Sequence, residues 1–103
     1  MSVPLRWSKE AREDLLEIYV AIGLDNIGAA ERIYNRLEKR AAPLSEQPRL
    51  GARRADIRPG ARVLVERPYL IFYKTTPDTD SGPIERVEII RVVDGRRNLA
   101  NLF

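Results

Sequence analysis

A chain of 103 residues with 44% hydrophobic content can close one core without staples and has no length for a second. It contains neither cysteine nor histidine, which removes disulfides, thiolate metal sites, the commonest metal ligand and the commonest general base. The net charge of +3 comes from the second half, because residues 1–46 hold seven basic and eight acidic side chains and residues 47–103 hold eleven and seven. Arginine outnumbers lysine fifteen to three. Its planar fork suits bidentate pairing with carboxylates or phosphates, although a GC-rich coding sequence raises arginine equally well. No window approaches the roughly 20 apolar residues of a membrane span. The start, Met1 to Trp7, has no cationic stretch followed by an apolar run, so we expect one soluble, cytoplasmic domain over residues 1–103.

Val3 to Trp7 alternates apolar and polar around Pro4, the pattern of a short edge strand, since proline cannot donate to a ladder. Ser8 is placed as a helix N-cap, with Glu10, Glu13 and Asp14 where the helix dipole favours acids. Ala11, Leu15, Ile18, Tyr19 and Ile22 then recur at helical spacing, and Gly23 with Leu24-Asp25-Asn26 supplies the stop and the turn. A second helical pattern runs from Ile27 to Glu46, with Ala30, Ile33, Tyr34, Leu37, Ala41 and Leu44 on one face. Arg32 and Arg36 repeat as a basic stripe, and Pro43 should kink or end this helix early.

Residues 45–60 are turn-rich and basic, and we expect a loop there with one extended piece at Ala55 to Arg58. Arg62 to Glu66 reads as a strand and Arg67-Pro68 as a turn. Tyr69 to Thr76 reads as a central strand, because apolar residues line both of its faces. A polar loop, Pro77 to Pro83, leads to a last strand, Ile84 to Val93, which runs into a basic tail from Asp94 to Phe103. The expected fold is α+β, in the order β-α-α-β-β-β, with a helical hairpin packed on a small antiparallel sheet.

Four segments in this order resemble the ParE/RelE superfamily of type II toxins, and its ParE branch most. They are Leu5 to Tyr19 (LRWSKEAREDLLEIY), Leu44 to Gly51 (LSEQPRLG), Tyr69 to Tyr73 (YLIFY) and Val87 to Leu99 (VEIIRVVDGRRNL). The resemblance implies a RelE/ParE-like fold and an intracellular toxin neutralised by a co-encoded, ParD-like antitoxin in a hetero-oligomeric complex. It implies DNA gyrase as the target of a protein-binding inhibitor, which is not an enzyme and uses no cofactor or metal. DNA would be met only indirectly, through antitoxin or gyrase, and no membrane is involved. Many relatives carry histidine where this chain has Asp94, and a carboxylate beside Arg96 and Arg97 is expected to form a local ion pair.

Two rival readings belong to other classes: a RelE-like ribosome-dependent mRNA endoribonuclease, and an adaptor domain that shares only the fold. RelE-like enzymes place lysines on the middle strands and a tyrosine near the C-terminus. After Val93 this chain has no Tyr, His or Lys, which leaves Lys74 with Arg53, Arg54 and Arg58 as candidates. Arg53, Arg54, Arg58, Arg62 and Arg67 can form a solvated face, a dock for an acidic peptide or, less in keeping with the absence of aromatic platforms, a phosphate track.

Trp7 reads as core or sheet-edge packing, or an interface anchor, and Tyr19 and Tyr34 as packing between the helices. Glu10/Asp14 and Glu13/Glu17 read as surface charge rather than a metal site. For antitoxin binding we expect Tyr19, Ile22, Ile33, Arg32, Arg36 and Arg40. For target binding we expect Arg96, Arg97, Leu102 and Phe103, the competing reading being that Leu99, Leu102 and Phe103 fold back on the core and leave the arginines solvated.

Overall fold

A computed structural model of the chain describes residues 2–97, 99 and 102. The elements run β1 (Leu5–Trp7), α1 (Lys9–Gly23), α2 (Ile27–Ala41), a short 3-10 helix (Ala42–Ser45), β2 (Ala52–Arg53), β3 (Arg62–Glu66), β4 (Tyr69–Thr76) and β5 (Arg86–Asp94). The strands form one sheet in the order β1-β5-β4-β3-β2. Strands β2 to β5 pair antiparallel, as hairpins with short connections must, while β1 lies parallel to β5 with Leu5 opposite Val87 and Trp7 opposite Ile89. The sheet is therefore mixed. No described helix is long and apolar enough to cross a membrane.

Local chemistry sets the helix ends. The Ser8 side chain accepts the Ala11 N–H at 3.0 Å, and Asn26 caps α2 by accepting the Ala29 N–H at 2.9 Å. Pro43 lacks the N–H a continuing α-helix needs, so α2 stops at Ala41 and the chain tightens into the 3-10 turn that buries Leu44. In the loop after it, Ala52 and Arg53 pair with Val63 and Arg62, and they form the extended piece that was expected at Ala55 to Arg58. Residues 55–58 instead turn, with the Arg58 N–H on the Arg54 carbonyl at 3.2 Å and the Asp56 carboxylate held by Arg54.

Strand β4 is central, and both of its faces are covered. On one side α1, α2 and the 3-10 turn bring Ala11, Leu15, Leu37, Ala41 and Leu44 onto Leu64, Ile71, Tyr73, Val87, Ile89 and Val92, with Trp7 at the margin. On the other, Ala61, Val63, Phe72, Ile90 and Val93 are covered by Ile57 from the loop and by Leu99 and Leu102 from the tail. A register shift between Phe72 and Tyr73 leaves Ile90 without a cross-strand partner, and this bulge re-aims the end of β5.

Candidate functional site

Two surfaces collect the residues that the sequence singles out. At the first, the end of β5, the chain leaves the sheet at Gly95. Its N–H donates to the Pro68 carbonyl at 2.7 Å, and a Cβ there would lie 3.2 Å from that oxygen and 3.3 Å from Leu70 Cγ. Close approach, rather than an unusual φ, is what favours glycine at this position. Asp94 accepts the backbone N–H of Arg96 and its Nε–H, both at 2.9 Å, and a further guanidinium bond from the same residue. Those side-chain and backbone hydrogen bonds pull the Asp94 carboxyl down to about 2 and raise Arg96. The expected ion pair is thus present: its hydrogen bonds go to Arg96, and the charge of Arg97 acts on the same carboxylate without bonding it.

Arg97 lies beside it on a groove of about 260 Å³ between α1 and the end of the sheet, lined by Asp14, Glu17, Ile18, Ile22, Tyr69, Val93 and Asp94 among others. No hydrogen bond or ion pair joins its guanidinium to the described residues. Leu99 and Leu102 rest on the second face of the sheet. The Leu102 carbonyl accepts from Arg91 at 3.1 Å, so fold-back describes these two leucines, while Phe103 lies outside the described residues.

The second surface is the outer side of the helical hairpin. Tyr19 and Tyr34 meet edge to face with ring centroids 6.1 Å apart, tying the helices together as expected. Beside them a groove of about 430 Å³ is lined by Arg12, Leu15, Leu16, Tyr19 and Tyr34. Leu16, Val20, Leu24 and Ile27 are exposed along the same hairpin, Leu24 at 82%. The sequence reading passed over these four. Leu16, Val20 and Leu24 recur at four-residue spacing and form a second apolar stripe on α1, which was there to be found.

The six residues expected to contact an antitoxin do not form one patch. Tyr19 lines the outer groove, Ile22 the groove beside Arg97, and Ile33 packs on the helix-side core. Arg36 bonds Glu66 at 2.8 Å and the Arg67 carbonyl at 3.0 Å, and Arg40 Nε bonds the Val65 carbonyl at 3.1 Å. Arg40 thus satisfies a backbone carbonyl of β3 beyond the two residues that β2 pairs, and Arg36 ties α2 to the turn after β3. Arg32 is exposed.

The basic loop is neutralised from within. Arg53 bonds Asp78 and Asp80, each at 2.8 Å. Arg54 forks onto Asp56, and Arg62, only 6% exposed, reaches Asp80 at 3.1 Å and the Gly51 carbonyl at 3.0 Å. Arg49 holds the loop after β4 through Thr79 and the Gly82 carbonyl. Arg53 and Arg62 are thus occupied by carboxylates distant in sequence, and Arg54 by the neighbouring Asp56. Lys74 and Arg58 border one polar hollow with Glu88 and Arg91, where Lys74 Nζ stands 3.6 Å from Glu88. Asp14, expected as surface charge, is instead mostly buried against β5. Its carboxylate is bidentate on Arg91 at 2.7 and 3.0 Å.

A helical hairpin over a mixed sheet, with a basic tail leaving its last strand, defines a two-layer α+β domain. Over residues 5–99 the chain matches the family described as ParE toxin of type II toxin-antitoxin system, parDE, and it belongs to that family. It is 37% identical over 76 residues to Toxin ParE3 of Caulobacter vibrioides (strain ATCC 19089 / CIP 103742 / CB 15), covering 74% of this chain and 69% of that protein. The fold superposes on a chain of the solved structure "Chromosomal ParDE TA system from P. aeruginosa" with a TM-score of 0.70 and 25% identity, over 90% of this chain and 96% of that one.

Proposed function

We propose that this toxin acts in the cytoplasm as a non-enzymatic inhibitor of DNA gyrase, through its C-terminal edge, and that a ParD-like antitoxin neutralises it by covering the helical hairpin. The observation that carries the target assignment is the placement of Arg97. It is exposed, without an ion-pair partner among the described residues, and it borders a groove lined by Ile18, Ile22 and Val93 together with the carboxylates of Asp14, Glu17 and Asp94. Arg96 stands beside it and Leu102 anchors the same segment. A guanidinium not already engaged can pair with a partner's carboxylate or phosphate at full strength, whereas Arg53 and Arg62 would first have to give up their own.

For the antitoxin, exposed Leu16, Val20 and Tyr34 with half-buried Tyr19 offer apolar anchors, and Arg12 on the rim suits an acidic residue of a chain that orders on binding. Arg32 adds a further exposed cation, on α2, while Arg36 and Arg40 hold that helix to the end of β3 and the turn after it.

The test is a DNA supercoiling assay with gyrase, run beside copurification with the product of the neighbouring reading frame. Arg96→Ala/Arg97→Ala should lose inhibition and growth arrest while it still binds antitoxin. Leu16→Glu should lose antitoxin and keep inhibition. A fully inhibitory Arg96→Ala/Arg97→Ala protein would remove the target surface. Site-specific mRNA cuts in a ribosome-programmed translation assay, abolished by Lys74→Ala, would replace the inhibitor reading with the ribonuclease one.

A further inference from the structure

The outer edge of β5 loses its strand halfway along. Pairing with β1 ends at Trp7 opposite Ile89, because the chain turns there into α1. The beginning of the helix takes over the vacant edge. The Ser8 N–H donates to the Ile89 carbonyl at 2.9 Å, the Ser8 hydroxyl to the Ile90 carbonyl at 3.1 Å, and the Val92 N–H donates to Asp14 Oδ2 at 2.8 Å. That same Asp14 carboxylate receives the fork of Arg91.

Arg91 stands opposite Phe72 in the ladder, on the face that the tail covers, and it uses its third nitrogen to donate to the Leu102 carbonyl at 3.1 Å. One guanidinium thus joins α1, the β5 edge and the C-terminal segment. Its proton is held firmly, chiefly by the Asp14 hydrogen bonds, with the nearby charges of Glu17 and Glu10 adding to them.

We propose that Asp14 and Arg91 are positioning residues for target binding: their ion pair anchors the C-terminal segment to α1 and the sheet so that Arg96 and Arg97 are offered in one arrangement. This rests on the reading of that segment as the target-facing surface. Neither residue need touch the target. Asp14 is mostly shielded by α1 and β5, and all three guanidinium nitrogens of Arg91 are engaged inside the chain. Ordering a segment before it binds removes an entropic cost from association, which is how a residue outside the contact can govern affinity.

The pair can be broken without emptying the core. Asp14→Asn keeps an oxygen for the Val92 N–H but drops the charge, and Arg91→Lys keeps the charge but has one nitrogen where three are used. Losing charge-assisted bonds of this kind should speed deuterium uptake in peptides of the C-terminal segment about tenfold. Peptides of α2 and β4 should exchange as in the wild type. The toxin concentration giving half-inhibition of supercoiling should rise about tenfold, with antitoxin affinity within about twofold.

Uptake that accelerates equally throughout the chain, or stays unchanged at the C-terminus, overturns the proposal. So does a loosened segment in a variant that inhibits as well as wild type while Arg96→Ala/Arg97→Ala has lost inhibition. If that double variant keeps full inhibition, the target-facing reading fails and the positioning role falls with it. The deuterium uptake, read separately, then still reports whether the pair anchors the segment.

Discussion

The two faces of this sheet are closed by different kinds of chain. One is covered by α1, α2 and the 3-10 turn, whose backbone hydrogen bonds are largely internal and whose apolar stripes place Leu15, Leu37 and Leu44 on the sheet. The other is covered by a loop residue, Ile57, and by two residues of the tail, Leu99 and Leu102. Regular elements bring many side chains down together and resist local opening, whereas a loop and a tail bring a few each and open more readily. Stability is thus concentrated on the helix side, and the segment that carries the proposed target residues lies on the side that opens at lower cost. The Asp14–Arg91 pair connects the two.

The largest effect is expected on the helix side. Leu37 is fully buried, and Leu37→Ala should cost about 3–4 kcal/mol in urea unfolding with an unchanged slope, the sum of lost transfer energy and a cavity the helices cannot close. A smaller loss, about 2–3 kcal/mol, is expected for Gly51→Ala at the sheet's other edge. The Gly51 N–H donates to the Tyr73 hydroxyl at 2.8 Å, and an added Cβ would sit 2.5 Å from the Val63 carbonyl and 2.7 Å from the tyrosine ring. Phenol and backbone must separate, which also unseats the Gly51 carbonyl from Arg62.

On the tail side, Leu102→Ala should cost only about 1 kcal/mol, since the side chain is half-buried and its neighbours can settle. It should nevertheless weaken gyrase inhibition more than Leu37→Ala does in the fraction that remains folded. Equal stability losses at the two leucines would show that the tail belongs to the same cooperative unit as the helices and would erase the contrast.

The smallest effect is electrostatic. Asp94 titrates at about 2 when folded, below its ordinary 3.8, so the carboxylate's contribution is present above the ordinary value and is lost as pH falls through that window. Arg96 is exposed and Asp94 half-buried at the surface, and the change should register as a local carboxyl titration by NMR near pH 2 rather than as unfolding. Arg96→Ala should return the midpoint to the ordinary range. A midpoint already ordinary in the wild-type chain would show that Arg96 is not held by Asp94, and would leave both tail arginines available to a partner.

Much of the fold could be read from the residues alone, because it depends on neighbours in the chain. The cap at Ser8, the stop at Gly23, the end of α2 before Pro43 and the three strands of the meander all follow from local chemistry and from apolar periods over a few residues. So does the pairing of Asp94 with an arginine two positions away. The order of motifs along Leu5 to Leu99 was enough to show the family resemblance. What the residues alone did not determine is every contact between distant segments. The two-residue strand β2 is too short to have a period, and it exists because Ala52 meets Val63. Strand β1 lies parallel to β5, a choice made by where α1 must pack and not by the five residues around Pro4. The roles of the arginines were the least legible, since a guanidinium looks alike in any context: Arg53 and Arg62 are consumed by Asp78 and Asp80, Arg36 and Arg40 hold α2 to the end of β3 and its turn, and Arg91 finds its carboxylate 77 positions away. Which cations remain for a partner is decided only when folding has brought the acids to the others.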